Sequence, residues 1–581
     1  MSARSADAAP TGTTAEQMNR DLQAQLATIT GGLAPEPFIQ AWWDWYLGLS
    51  QAPETQAQIT QDAWAKAMDT WQFAAQAASG SSAAAVTDDR RFAHEGWNQW
   101  PFNVYARGHK NWESWFQSSL SSVPGIDAGS AQRVEFVGRQ VMDSVSPTNY
   151  LHTNPELLEQ TRAESGQNLV RGYKHWVEDV QSALSGNKPS ASDEFVVGRD
   201  IATTPGKVVL RNDLIELIQY SPQTPNVHAE PILITPPWIM KYYILDLSPG
   251  KSLVQYLVEQ GHTVFLMSWK NPTEIDRNLG IDDYLNLGFM EALDAVSAIV
   301  PERKIHMVGY CIGGTLSFIG TSLLAQRGDQ RIGSLSLFAS LCDFSEPGEL
   351  SLFIDPKQLA MLDAMMAKKG FLDSKEMGAA FQLLRSYDLM WTPLVNNYVR
   401  GKRDKLNDLM AWNADGTRMP CRMHSEYLSK LYLENQLANN QFEIGGELVN
   451  LSAITVPMLV VGTETDHVTP WRSVYKARQH TRSEDYTFLL TSGGHNAGIV
   501  SGPSNPKRRY RSLHFSDAQS SMPADEWFKG TAPQPGSWWP VWQQWLAARS
   551  SGEKVSPPAM GNGDQGYWPT VDAPGEYVMQ R

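Results

Sequence analysis

After a loop at 186–192, short apolar runs alternate with longer stretches of helical periodicity. The runs at 231–235, 263–268, 304–308, 335–341, 456–462 and 486–491 are rich in Val, Ile, Leu and Phe. Runs of this kind, separated by helices, predict parallel strands buried on both faces. Ahead of them, 208–210 and 214–220 flank Asn212 and Asp213, which predicts a β-hairpin. The pattern is that of a doubly wound α/β sheet. It breaks between residue 343 and about 454, where helical and irregular sequence replaces strands. An insertion at 343–442 is therefore expected to cap the carboxyl edge of the sheet and exclude water. The α/β domain then comprises 191–342 and 443–581.

The N-terminal third reads differently. Residues 1–34 are rich in Ala, Thr, Gln and Ser, with little to bury, and are expected to form a disordered tail. From 35 to 190 the chain reads as a helical domain carrying Trp42, Trp43, Trp45, Trp64, Trp71, Trp97, Trp100, Trp112, Trp115 and Trp176. These rings are expected chiefly to fill a helical core. The alternative is an exposed apolar surface for another subunit or a water-insoluble product.

Composition narrows the functional classes. A length of 581 residues allows two to four domains, and a formal charge of −14 makes nucleic acid an unfavourable partner. Cys311, Cys342 and Cys421 are too widely spaced for a disulfide framework or a paired-cysteine metal site. No apolar run approaches the ~18 residues of a membrane span, so a cytosolic protein is expected.

The chemistry concentrates at KIHMVGYCIGG, 304–314, where an apolar strand runs into Gly309, Tyr310, Cys311, Ile312 and Gly313 and then into a helix. This is the GxSxG nucleophile elbow of the α/β-hydrolase fold with cysteine in place of serine. An isolated thiol ionises near a pKa of about 8.5, so a base must stand beside it. In this fold the partners follow in the order nucleophile, acid, histidine. The run at 456–462 leads into Asp466, the candidate acid, with Glu464 and Asp485 as rivals; the run at 486–491 leads into SGGHNAG and His495, the candidate base. His467 sits in the acid's loop and His424 in the expected cap. The oxyanion donors are expected to be the backbone N–H of Ile312 and, because Pro236 and Pro237 lack one, that of Trp238 or Ile239. The basic run Lys507, Arg508, Arg509 and Arg511 reads as a solvated surface, with the phosphates of coenzyme A as the alternative partner.

From about Trp71 onward the chain resembles the polyhydroxyalkanoate synthases. The resemblance rests on DRRFAHEGW at 89–97 and SPTNYLHTNPE at 146–156, on the long stretch at 241–272, and on GYCIGG at 309–314. Further on, ADGTRMPCRMHSEYL at 414–428, DHVTPW at 466–471, GGHNAG at 493–498 and PGSWWPVW at 535–542 extend it. The resemblance implies Cys311 as nucleophile, Asp466 as acid and His495 as base. It also implies (R)-3-hydroxyacyl-CoA as substrate, release of CoA, a growing polyester chain, and no metal or cofactor. Homodimers on polymer granules in the cytoplasm, and the class preferring short-chain substrates, are implied as well. Met240 departs from the asparagine common in the family before the lysine that is Lys241 here, which puts local polar contacts of that loop in doubt.

Two other readings remain: a thioesterase or intracellular polyester depolymerase of the same fold, and a catalytically idle granule-coating protein. Cysteine at the elbow and the aromatic N-terminal region speak against the first; the presence of nucleophile, acid and histidine together speaks against the second.

Overall fold

The computed structural model describes residues 30, 32–79, 88–185, 195–374, 376–378, 386–403, 406–517 and 522–581. The tail expected at 1–34 lies outside them except for 30 and 32–34, and the loop at 186–192 lies outside them entirely. The chain divides into two compact units, one built from Ala191–Met377 and Leu406–Arg581, the other from Thr30–Ser190 and Gly378–Lys405. Of the interval expected to form a cap, 343–377 and 406–442 fall in the first unit and 378–405 in the second.

The first unit is organised by a ten-stranded sheet. We label its strands β1 (Gly206–Arg211), β2 (Ile215–Tyr220), β3 (Ile232–Thr235), β4 (Val264–Trp269), β5 (Ile305–Tyr310), β6 (Ile332–Phe338), β7 (Met458–Thr463), β8 (Tyr486–Thr491), β9 (Arg509–Phe515) and β10 (Gln534–Pro535). Their spatial order is β1-β2-β4-β3-β5-β6-β7-β8-β9-β10. The six strands from β4 to β8 in that order are parallel. β1, β2, β9 and β10 add antiparallel edges. The hairpin expected around Asn212 is present, with Arg211 opposite Glu216.

Burial explains the central strands: every residue of β3, β4, β5, β7 and β8 is buried. The helix Ile312–Gln326 is buried from Ile312 through Leu324, because it runs along the sheet beneath other elements rather than over an exposed surface. The run read at 335–341 lies three residues too late: β6 ends at Phe338. Ala339 then takes a positive φ of 47° and Ser340 Oγ bonds back to the carbonyl of Phe338 at 2.9 Å, which turns the chain out of the ladder. Strands β9 and β10 had no signal in the apolar pattern, because β9 alternates arginine with partly exposed positions. The edge at β1 is covered by the chain's own late residues, with Val208 N–H donating to Val571 O at 2.9 Å and Ala573 N–H to Gly206 O at 2.9 Å.

The second unit is helical, with long helices at Glu36–Ser50, Pro53–Ala78, Phe102–Ser121, Ala128–Ser144 and Gln167–Ser185. Asp127 caps the fourth by accepting the N–H groups of Gly129 and Ser130. The stretch at 89–97 supplies Arg91, whose guanidinium is held by Asp89 at 2.6 Å and Glu113 at 2.9 Å. Tryptophan burial divides. Trp97 is core, packed edge-on against Phe92, whereas Trp43, Trp64, Trp71, Trp100, Trp112 and Trp176 are exposed. The expectation that the rings chiefly fill a core is thus corrected. Trp64, Met68 and Trp71 recur at spacings of four and three, one face of the helix Pro53–Ala78; a few packed helices cannot enclose every face.

Candidate active site

Strand β5 delivers Cys311 at its carboxyl end, and the ladder runs up to it: Cys311 N–H donates to Phe338 O at 2.9 Å. Cys311 has φ 54° and ψ −128°, a conformation that costs an L-residue on the order of 1–3 kcal/mol and persists only where the surroundings impose it. They do so by close approach. A Cβ on Gly309 would lie 2.4 Å from Gly314 Cα, and one on Gly313 would lie 2.4 Å from Thr235 O and 2.5 Å from Pro236 O. Only glycine lets the helix Ile312–Gln326 press against both its own strand and the end of β3. Among the three cysteines Cys311 is half-buried, Cys342 is buried with its thiol pushed up by desolvation, and Cys421 is pushed up by the same cause.

Strand β7 ends at Thr463 and places Asp466 in the following loop, with its side chain fully buried. Its Oδ1 accepts the N–H groups of Val468 and Thr469, each at 2.9 Å. Its Oδ2 accepts the hydroxyls of Thr463 at 2.8 Å and Thr469 at 3.0 Å, and lies 2.9 Å from Nδ1 of His495. Burial would push this carboxyl up, but the charge and hydrogen bond of His495, with the Thr469 and Thr463 bonds, hold it below the usual carboxylate range.

His495 comes from the glycine-rich loop after β8. Asp466 holds its Nδ1, and Cys311 lies near enough for its charge to act on the ring. Burial would push the imidazole down; Asp466 and Cys311 outweigh it, and the ring sits well above its ordinary range, which favours imidazolium. The three residues from three strand ends are therefore in one place. The rivals are engaged elsewhere: Glu464 pairs with Arg509 at 2.8 Å, and Asp485 pairs with Arg549. His424 is buried, which pushes it down to about 4.

Several supporting residues escaped the sequence reading. The ring of Tyr310 stacks on that of His495 with centroids 5.5 Å apart, and its hydroxyl donates to Asn496 Oδ1 at 2.6 Å. Arg508 reaches back to the same loop, donating to Ser492 O at 3.0 Å and Ala497 O at 2.5 Å. Arg511 donates to Thr531 O and lies over the Phe528 ring. Thus Arg508 and Arg511, read as part of a solvated surface, instead tie the His495 loop and the sheet edge together, while Lys507 and Arg509 are exposed as expected. The glycine signal that marked the loop carried no information about these distant clamps.

For the expected oxyanion donors, the N–H groups of Ile312, Trp238 and Ile239 have no acceptor among the described residues. Trp238 and Ile312 line one small apolar pocket together with Ile281, Leu316, Tyr427 and Leu431. Tyr427 and Leu431 lie on the π-helical turn Tyr427–Leu433, a local widening that recurs at functional sites.

Comparison with known proteins agrees with this architecture. Residues 88–257 match the model of the poly-beta-hydroxybutyrate polymerase (PhaC) N-terminus, 13–54 match a second N-terminal model of that polymerase, and 243–501 match the alpha/beta hydrolase fold. The chain is 38% identical to a poly(3-hydroxyalkanoate) polymerase of Methylorubrum extorquens over 496 residues, 85% of this chain and 81% of that one. It is 34% identical to the polymerase subunit PhaC of Rhizobium meliloti (98% and 94% covered) and 35% identical to that of Cupriavidus necator (92% and 90% covered). By sequence over nearly its whole length, and by an α/β-hydrolase sheet that carries its cysteine at the elbow, the chain belongs to the poly(3-hydroxyalkanoate) polymerase family.

Proposed function

We propose that the protein polymerises (R)-3-hydroxyacyl groups, delivered as CoA thioesters, through an acyl thioester on Cys311. The observation that carries the reading is the strained cysteine at the end of β5, whose neighbour Tyr310 stacks on a histidine that Asp466 in turn holds. In the first step the Cys311 thiolate, its proton already held by His495, attacks the substrate carbonyl. The tetrahedral oxyanion is met by the N–H of Ile312 and by that of Trp238 or Ile239. Collapse breaks the bond to the CoA sulfur, which leaves with the proton from His495. One thioester replaces another, so the acyl group stays activated.

In the second step a hydroxyl, from the growing chain or the next monomer, attacks the Cys311 thioester. His495 accepts the hydroxyl proton, an ester bond forms, and the Cys311 sulfur departs as the thiolate. Ester formation from a thioester runs downhill, the direction that growth requires. Asp466 is assigned the orienting role. An ionised carboxylate offers about four acceptor positions, and two backbone N–H groups, two hydroxyls and His495 already occupy them. That favours holding the imidazole over contact with a substrate hydroxyl.

Of the interval expected to cap the site, 343–377 and 406–442 are proposed to shield it from water, with Tyr427 lining the pocket. The exposed tryptophans of the helical unit support an apolar surface for the polymer granule, and no described helix is long and apolar enough to cross a membrane. A cytoplasmic, granule-bound homodimer and a preference for short side chains complete the reading. The test is purified protein with 3-hydroxybutyryl-CoA, following CoA release and turbidity together, with Cys311→Ala as the control. Release of CoA with equimolar free hydroxyacid and no turbidity would overturn it in favour of a thioesterase.

A further inference from the structure

The loop from Pro236 to Met240, which is expected to carry the second oxyanion donor, is gripped from one side by a short segment far away in sequence. Thr417 Oγ1 donates to Trp238 O at 2.6 Å, and Thr417 N–H donates to Ile239 O at 3.4 Å. Met240 and Gly416 form an antiparallel bridge. Trp412 Nε1 donates to Lys241 O at 2.8 Å, and Tyr243 hydroxyl donates to Asp415 Oδ2 at 2.9 Å. Thr417 and Trp412 are both buried, so these bonds are not exchanged with water.

The peptide group turns this grip into an orientation. Carbonyl and N–H of a trans peptide point in opposite directions. The carbonyl of Trp238 faces the Thr417 hydroxyl, so the N–H of Ile239 faces away from it. The carbonyl of Ile239 faces Thr417 as well, so the N–H of Met240 also faces away. In an extended chain successive carbonyls alternate sides; here two in a row are drawn to one residue. Their two N–H groups are left side by side, the arrangement in which backbone amides attract an anion. The start of the same loop abuts the nucleophile helix, where Thr235 O and Pro236 O crowd Gly313.

We propose that Thr417 is a positioning residue: its side-chain hydroxyl holds the Trp238–Ile239 peptide in the orientation that presents the loop's N–H groups to the developing oxyanion. The inference rests on the acyl-transfer reading above. It also makes the segment Trp412–Thr417, part of the interval expected to cap the site, a determinant of whether the oxyanion loop is set for reaction.

The experiment uses the full-length protein with 3-hydroxybutyryl-CoA. Thr417→Val keeps the shape and removes the donor. Removing an oxyanion donor outright costs roughly 100- to 1000-fold in kcat; loosening its support is expected to lower kcat by roughly 10- to 100-fold while KM holds. Thr417→Ser, which restores the hydroxyl, is expected to recover most of the loss. A wild-type kcat in Thr417→Val, or a Thr417→Ser variant as slow as Thr417→Val, would overturn the proposal. If Thr417→Val does not fold, Trp412→Phe removes only the indole bond to Lys241 O; it must show the same loss confined to kcat, and an unchanged kcat in it overturns the proposal equally. An inactive wild-type protein would instead strike the acyl-transfer reading itself, so the two failures are distinct.

Discussion

Nδ1 of His495 lies 2.9 Å from an oxygen of Asp466 that two threonine hydroxyls also reach. The imidazole therefore leans on a carboxylate that cannot turn. A carboxylate fixed in this way selects one tautomer of the ring and stabilises its protonated form.

Asp466→Asn is expected to abolish that selection, because an amide can present its NH2 to Nδ1 and stabilise the wrong tautomer. Both transfer of the acyl group to Cys311 and chain elongation should fall together, by roughly 100- to 10,000-fold. The measurement is labelling of Cys311 by radioactive substrate alongside polymer yield. Normal labelling with arrested elongation would instead assign Asp466 to the substrate hydroxyl.

The pair also predicts how stability varies with pH. Asp466 is held below its ordinary range, so its contribution is present above the unfolded carboxylate value of about 4 and is lost as pH falls through the lower folded value. His495 is raised, so its contribution is fully present below about 6.5 and is lost as pH rises through the higher folded value. The Tm difference between the native protein and Asp466→Asn should accordingly be largest between those limits and shrink at both extremes. A difference that is flat with pH would contradict the assigned shifts.

Gly313→Ala forces a methyl to within 2.4 Å of Thr235 O and 2.5 Å of Pro236 O, both backbone atoms that cannot swing aside. Overpacking of this kind costs about 1–3 kcal/mol, and the displaced helix start should also reduce acyl transfer. Gly530→Ala, where nothing lies within 4 Å of the added methyl, is the control and should stay within about 0.5 kcal/mol of the native protein. Denaturant midpoints of the two variants check the contrast.

Tyr310→Phe keeps the ring that stacks on His495 and removes the hydroxyl bonded to Asn496 Oδ1 at 2.6 Å and to His495 O at 3.3 Å. Loss of these part-buried bonds should cost about 1 kcal/mol. The loop carrying the base should loosen, so kcat should fall with KM little changed. Steady-state kinetics with full saturation curves separate the two parameters, and an unaltered kcat would remove Tyr310 from the support of His495.

The amino-acid order alone determined where the parallel strands lie, that Cys311 stands at an elbow, and that Asp466 and His495 follow later strands. These features rest on local signals: apolar runs of strand length, glycines at a tight turn, and a polar residue just past each run. Long-range approach decided the rest. Tyr310 meets Asn496 across 186 positions and Thr417 meets Trp238 across 179, and neither pair shares a local pattern that marks them as neighbours. The same holds for Arg508, whose place in a basic run suggested solvent until β9 set it behind the His495 loop. It holds too for the tryptophans, since one ring serves equally as core or surface until the packing of helices determines which faces close. Periodicity registers which face of an element is apolar, whereas the partner of that face, and the bonds that fix a catalytic loop, exist only once distant segments are packed together.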